Sequence, residues 1–592
     1  MEVKRLFDLL PRYASSFRPK DDVLAGKSDG EWKKYDIQAY IRQAEAVAFA
    51  LIDMGIRPGD NVATIMNNRP EWNFLDMGIL MAGAVHVPIY PTITEADYDY
   101  ILRHAGTPVV FVGGNEIYRK IVGVLPRIES VKQVISIDAV EDLGRFSDMV
   151  GRAATLPYRE EMQARMDAVK TDDVATIVYT SGTTGNPKGV MLTHANLISN
   201  FIAVSYIPTF GEEGRALSFL PLCHVYERML VYLYQYLGIS VYYAENLATV
   251  GDNVREVKPD MMSAVPRFLE KVFDRILTQG RKLKGVKRMI FFWAVSIAEH
   301  YNETGHNPWH FSIRHRLADK LVLSKWRAAL GGNFKIIVSG SAALQPRLVK
   351  VYRAAGLPVY EGYGLTETSP VVAVTSTDPN GLRAGTVGPP LRGVEVRIAG
   401  DGEILARGPN IMKGYYKEPE LTAQVIDSDG WFHTGDVGMI EPEGQLRITG
   451  RKKEIFKTSL GKYIAPELIE NKLKSSSFID NAMVVGENQR FAAALIVPDF
   501  AHLKSWCRIK EIPYTTDEEM VKMERIRRRF IKEVDRYNHE LGSAEQVRKI
   551  ELIPREWSVN GGELTPTLKL KRNVVTERYQ EVIDRIFGNG AK

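Results

Sequence analysis

The stretch ATIVYTSGTTGNPKGVMLTHANL, residues 175 to 197, says more about the fold than any other part of the 592-residue chain. An apolar, β-branched run, ATIVY, stops at a cluster of hydroxyls and glycines, and a helical pattern starts near Thr193. Gly182, Gly185 and Gly189 permit backbone conformations closed to other residues, so that successive N–H groups can face one anion. Thr180, Ser181, Thr183 and Thr184 add hydroxyl donors and Lys188 a point charge, a set suited to a polyphosphate. The spacing is not that of the GxxxxGK[ST] loop, which disfavours a P-loop kinase or NTPase.

Outward from this loop, β-branched runs at 62–66, 108–112 and 335–340 alternate with amphipathic stretches such as Ile37 to Met54. That alternation predicts α/β layers with largely parallel sheets. Beyond about residue 383 the texture turns hairpin-like. VEVRIAGDGEILARG reads as two strands about Asp401-Gly402, and AMVVGENQRFAAALIV as a hairpin of a smaller C-terminal unit. The expected boundary falls at Gly450 to Lys453, dividing a domain 1–450 from a domain 451–592. Such a length exceeds what one hydrophobic core supports.

Composition excludes several classes. A net charge of +5 is too small for this size to indicate a nucleic-acid binder. Cys223 and Cys507 stand far apart without a CxxC or Cys/His cluster, which fits a reducing compartment and argues against a structural zinc site. No apolar run reaches the roughly 20 residues of a spanning helix, and Asp8 and Pro11 interrupt any signal-peptide core. The expectation is a cytoplasmic protein.

Five further blocks follow the loop in order: VSGSAAL (338–344), YEGYGLTETSP (360–370), WFHTGD (431–436), GRKKEIFKTSLGKYIAPELIE (450–470) and LTPTLKLKR (564–572). With the loop they resemble the adenylate-forming, AMP-binding superfamily, and the resemblance spans essentially the whole chain. It implies an α/β fold whose large N-terminal domain of layered sheets carries a β-barrel-like subdomain, followed by a small, mobile α+β C-terminal domain with its hinge near 450–453. It also implies ATP, Mg2+ and coenzyme A as co-substrates. Glu367 would supply the carboxylate and Thr180 the hydroxyl for magnesium. Gly340, Ser341 and Ala342 would bring backbone to the adenine, Tyr363 a ring face, and Glu361, Gly362, Gly364 and Thr366 the rest of the nucleotide motif. Asp436 would accept both ribose hydroxyls with Arg451 in support. Lys569 would contact the α-phosphate and the acyl carboxylate, His224 would lie near that carboxylate, and Gly461 would line the path of the CoA thiol.

HVYER (224–228) and VPRFLEK (265–271) are similar to blocks of long-chain fatty acyl-CoA synthetases. Where some of these carry a gating tryptophan, this chain has Tyr226, Glu227 and Arg228. From Lys271 to Leu330 twelve Lys and Arg face four Asp and Glu, a net +8, with Phe291, Phe292, Trp293, Trp309 and Trp326 among them. A basic, aromatic helical surface there suits peripheral contact with an anionic membrane. The expected function is a long-chain fatty acid–CoA ligase working through acyl-AMP. A medium-chain or aryl acid–CoA ligase, and a fatty acyl-AMP ligase loading a carrier protein, stay open, as do a nonenzymatic ATP-binding module and a membrane scaffold. Oligomeric state is not legible.

Overall fold

The computed structural model describes residues 2–28, 30–180, 186–376, 381–539, 541–543, 545–559, 561–565 and 569–588. Two compact units emerge, one of residues 1–396 with 406–433, the other of residues 397–405 with 434–592.

The first unit holds two eight-stranded sheets. One runs, in spatial order, Val371–Val374, Val359–Gly364, Ile336–Ser339, Met261–Ala264, Arg215–Ser218, Ser240–Tyr243, Leu24–Ser28 and Glu31–Tyr35. Its inner pairs are parallel and its two outermost pairs antiparallel. The other runs Gly414–Tyr415, Lys188–Thr193, Val174–Thr180, Val85–Ile89, Asn61–Ile65, Val109–Val112, Gln133–Ser136 and Gly144–Arg145. The β-branched runs at 62–66 and 108–112 become its buried strands, every residue of Asn61–Ile65 and Val109–Val112 being buried, and the run at 335–340 becomes the buried strand Ile336–Ser339 of the first sheet. Parallel strands covered on both faces read as continuous apolar runs for this reason.

Helices Ile37–Asp53, Pro70–Met81 and Val225–Leu237 share one core with strands of both sheets. The last two are buried on nearly every face, as expected of helices enclosed on all sides. Helix Ile37–Asp53 starts where Asp36 accepts the Ala39 N–H at 2.6 Å, and Thr193 with Asn196 forms a capping box for helix His194–Val204. The strand Lys188–Thr193, between the glycine-rich loop and that helix, is a feature that the sequence reading passed over. It is short and lies against Val174–Thr180 in an antiparallel ladder that ends at Thr180 opposite Lys188.

The turn-rich region supplies a four-stranded sheet, Glu395–Ile398, Glu403–Arg407, Phe432–Ile440 and Leu446–Arg451. In the second unit, a short ladder of Phe456–Lys457 with Tyr463–Ile464 precedes a three-stranded sheet of Ile479–Val485, Ala492–Pro498 and Val547–Leu552. That sheet shares a core with helices Phe500–Ile509 and Glu524–Asn538. The predicted hairpin is its first strand pair.

Candidate functional site

In the first unit the ladder of Thr180 and Lys188 holds the two ends of the glycine-rich loop side by side. Ser181, Gly182, Thr183, Thr184 and Gly185 lie outside the described residues. The short strand Gly414–Tyr415 pairs with Met191 and Val190, and this carries a residue that sequence reasoning missed. The Tyr415 hydroxyl donates to Glu367 Oε1 at 2.8 Å, while Lys188 Nζ lies 5.2 Å from the centre of the Tyr415 ring. One phenol thus joins the anionic and the cationic residue expected to handle phosphate and its metal. Burial and the Glu367 charge push the Tyr415 pKa up, so it remains a donor. Glu367 is fixed from its backbone as well, since its carbonyl accepts the Met412 N–H at 2.8 Å.

The nucleotide motif occupies the end of strand Val359–Gly364 and the turn after it. Gly364 admits no side chain, because a Cβ there would lie 1.8 Å from the Pro370 carbonyl oxygen. Tyr363 pairs with Ala373 across an antiparallel ladder, and Thr366 is buried at the head of a single turn of 3-10 helix. The motif is stitched to VSGSAAL from below. Glu361 Oε2 accepts the Leu344 N–H at 3.4 Å, and burial pushes the Glu361 carboxyl up to about 8 against that hydrogen bond. Glu361 therefore faces the protein interior and braces the turn at 340–344. In that turn Ser341 takes a left-handed backbone at φ 72, the strained kind of position that collects at ligand sites. Gly340 is buried, while Ser341 and Ala342 retain exposure.

His224 caps helix Val225–Leu237. Its Nδ1 accepts the Tyr226 N–H at 3.1 Å, which leaves Nε2 as the protonated nitrogen of the neutral ring. The Tyr226 hydroxyl donates to Val338 O at 3.2 Å, so this helix start is tied to the strand leading into Gly340. Among the described residues no cluster of three or more His, Cys, Asp or Glu is built to hold a metal. A magnesium ion held mainly by substrate phosphates needs no such cluster, since one or two carboxylates suffice for it.

The second unit assembles its own constellation. Asp436 and Arg451 are ladder partners, with Arg451 Nε 3.3 Å from Asp436 Oδ1. Lys569 feels the charges of Arg451, Glu467, Asp436 and Glu454. Crowding of its ammonium by protein atoms and the Arg451 guanidinium lower its pKa, and the three carboxylates oppose them. Over the residue as a whole Lys569 is exposed, while its ammonium is crowded among these charged groups. Glu454, Glu467 and Arg572 lie within the quoted blocks 450–470 and 564–572, but the sequence alone assigns them no role. Arg572 is clamped between Glu454 at 2.9 Å and Glu470 at 2.5 Å, a structural bolt unlike the lysines before it. Gly461 sits in the turn between the two short strands at φ 77, which only glycine adopts without strain. Lys453 is exposed in the turn that follows strand Leu446–Arg451.

A layered α/β unit that sets Lys188 and Glu367 about Tyr415, and a small α+β unit in which Lys569 lies among charged side chains, are the parts an enzyme that activates acids with a nucleotide would use. The family model described as AMP-binding enzyme matches residues 14–416, and that described as AMP-binding enzyme C-terminal domain matches residues 453–590. The chain belongs to the AMP-binding enzyme family. It is 36% identical to the long-chain-fatty-acid–CoA ligase FadD15 of Mycobacterium bovis, over 94% of this chain and 93% of that one. It is 32% identical to long-chain-fatty-acid–CoA ligase 1 of Homo sapiens, over 94% of this chain and 82% of the relative. Among solved structures, the adenylation domain of a carboxylate reductase from Mycobacterium chelonae shares the fold. The TM-score is 0.79 at 21% identity, covering 99% of this chain and 91% of that one.

Proposed function

We propose that this enzyme is a long-chain fatty acid–CoA ligase using ATP, Mg2+ and coenzyme A. The fatty carboxylate attacks the α-phosphorus of ATP, releasing pyrophosphate and giving acyl-AMP. The CoA thiol then attacks the acyl carbonyl, and AMP departs. AMP is a far better leaving group than a carboxylate oxygen, which is why the acid is activated first. The observation that carries the reading is the Lys188–Tyr415–Glu367 arrangement beside the ends of the hydroxyl-rich loop. It sets a cation for phosphate oxygens next to a carboxylate suited to magnesium, which when bound would offset charge on the departing pyrophosphate.

In this reading Thr180 to Gly185 and Lys188 cradle the phosphates. Gly340, Ser341, Ala342 and the Gly362–Thr366 segment receive the base, while Asp436 and Arg451 hold the ribose. Lys569 bridges the α-phosphate and the acyl carboxylate, two anions that otherwise repel as they approach. His224 presents Nε2–H to the same carboxylate. Gly461 lines the pantetheine path in the thioester step, and we take the boundary between domains to lie at 450–453, a reading supported by the C-terminal family match from residue 453. The identity of the full-length relatives supports long-chain acids over aryl and medium-chain ones. The reading also places the enzyme in the cytoplasm, in peripheral contact with an anionic membrane through residues 271–330. Among the described residues no helix is long and apolar enough to cross a membrane.

The test is a panel of fatty, medium-chain and aryl acids incubated with ATP, Mg2+ and CoA, with hydroxylamine to trap acyl-AMP. Long-chain acids should give AMP, pyrophosphate and acyl-CoA in equal amounts. ADP in place of AMP overturns the mechanism, and hydroxamate without acyl-CoA points to a carrier-protein acceptor.

A further inference from the structure

The aromatic residues of the basic stretch 271–330 divide sharply in their surroundings. Phe291 and Trp326 are core residues that meet at 6.1 Å, and Phe273 packs on Trp326 at 6.2 Å. Trp309 is 76% exposed. It begins helix Trp309–Ala318, which continues through a π-helical turn, Asp319–Leu323, into helix Ser324–Ala329. The run packs antiparallel to helix Gly285–Glu299, since Tyr301 meets His315 at 4.9 Å while Phe291 meets Trp326. Its inward side is Ala318, Val322, Leu323 and Trp326, all buried.

Its outward side is also apolar. Ile313 is 57%, Leu317 49% and Leu321 38% exposed, which with Trp309 makes a row at every fourth residue. Residues four apart lie on one side of a helix, and at about 40° of drift per step the row winds slowly round that side. Arg316 and Lys320 border it on one side and Arg314 on the other, all three exposed. The only acidic residue from Trp309 to Ala329 is Asp319, and its carboxylate is held by Arg327 at 3.0 Å. The outward face is therefore an apolar stripe edged by cations alone. A second copy of the chain docked there would set arginine against arginine, whereas an anionic lipid surface complements both the stripe and its edges.

We propose that helix Trp309–Ala318 and the π turn after it seat the enzyme on an anionic phospholipid bilayer. Trp309, Ile313, Leu317 and Leu321 enter the boundary between headgroups and acyl chains, and Arg314, Arg316 and Lys320 meet the lipid phosphates. The proposal rests on the fatty-acid reading only for its purpose, access to a substrate that partitions into membranes. Binding itself needs neither ATP nor acid.

The experiment is sedimentation of the full chain with phosphatidylcholine vesicles, with and without phosphatidylglycerol, across a range of salt and without nucleotide or acid. The wild type should sediment with the anionic vesicles and release as salt rises. Ile313→Asp combined with Leu317→Asp should lower the apparent partition coefficient at least tenfold at every salt concentration. Arg314→Gln, Arg316→Gln and Lys320→Gln should each cost about fivefold at low salt, with the difference shrinking as salt screens the surface. Ligase activity on a detergent-dispersed acid, unchanged in all variants, shows that the fold is intact. A wild type that stays in the supernatant overturns the proposal, and so does a double aspartate variant that binds as well as the wild type. A dimer that becomes a monomer in that variant, with vesicle binding kept, overturns it in favour of a self-association face. Vesicle binding without ligase activity on any fatty acid would instead count against the functional reading alone.

Discussion

Lys569 and Lys571 stand two residues apart in surroundings that give them different fates. The ammonium of Lys569 lies among Asp436, Arg451, Glu454 and Glu467. Lys571 is placed two residues on by its backbone N–H, which donates to the Glu563 carbonyl at 2.8 Å. Lys569→Ala should cut acyl-AMP formation by orders of magnitude and spare the conversion of synthetic acyl-AMP plus CoA, whereas Lys571→Ala should do neither. Separate assays of the two half-reactions decide it, and a larger loss from Lys571→Ala would move the catalytic assignment by two residues. Tyr415→Phe should slow adenylation about tenfold, because a hydrogen bond to a charged group is worth about 1.5–3 kcal/mol. The measure is pyrophosphate exchange against thioester formation. Glu367 and Lys188 were legible in sequence as parts of motifs. Tyr415 was not, because the strand that brings it in is two residues long and pairs with a segment more than two hundred residues earlier.

At the scale of elements, helix Val225–Leu237 is pinned by a buried charge. Arg228 donates to Thr176 Oγ1 at 2.7 Å and to the Tyr232 hydroxyl at 2.7 Å, and it is paired with Asp76. Asp76 also accepts from Tyr232 at 2.6 Å and faces His86 Nδ1 at 2.7 Å. Strand Val174–Thr180, helix Pro70–Met81 and the helix begun by His224 are thereby locked in one register. Arg228→Met leaves Asp76 buried without its cation and should cost about 3–5 kcal/mol in denaturant unfolding, while adding Asp76→Asn should recover part of the loss. In sequence Asp76 and His86 read as ordinary polar positions and Arg228 only as the end of the HVYER block; the tertiary fold makes them partners. Glu227, the neighbour of Arg228, is fully buried, and burial pushes its carboxyl up to about 7, against hydrogen bonds from Ser218 and Ser263. The folded chain then keeps a proton that the unfolded chain loses near pH 4.5. This contribution to stability is whole below that pH and is lost as pH rises through about 7. Glu227→Gln should flatten that slope, so the wild-type urea midpoint should fall more between pH 5 and pH 8 than the variant's.

At the scale of the whole molecule, the alternation of strands and helices and the late change to hairpins were both readable, because buried parallel strands and exposed hairpins leave different periodicities. The order of strands within each sheet was not, since it depends on pairings between distant segments. The proposed hinge near 450–453 would change the turn at Lys453 between the two half-reactions. Lys453→Pro fixes φ near −65°. It should leave pyrophosphate release in the first step largely intact and reduce acyl-CoA formation at least tenfold. Equal loss in both steps would make Lys453 one more surface lysine.

The two cysteines bear on how such experiments are read. Cys223 and Cys507 are both buried, and burial pushes both thiol pKa values up. An enzyme whose second substrate is a thiol thus keeps its own sulfur out of reach of thiol reagents. A disulfide dye added to aliquots withdrawn from the native reaction should titrate the remaining free CoA alone, so that the fall in dye released over time reads thioester formation. The same dye added during denaturation should gain two further equivalents per chain as the protein opens, so one reagent would follow turnover in the folded state and integrity as it is lost.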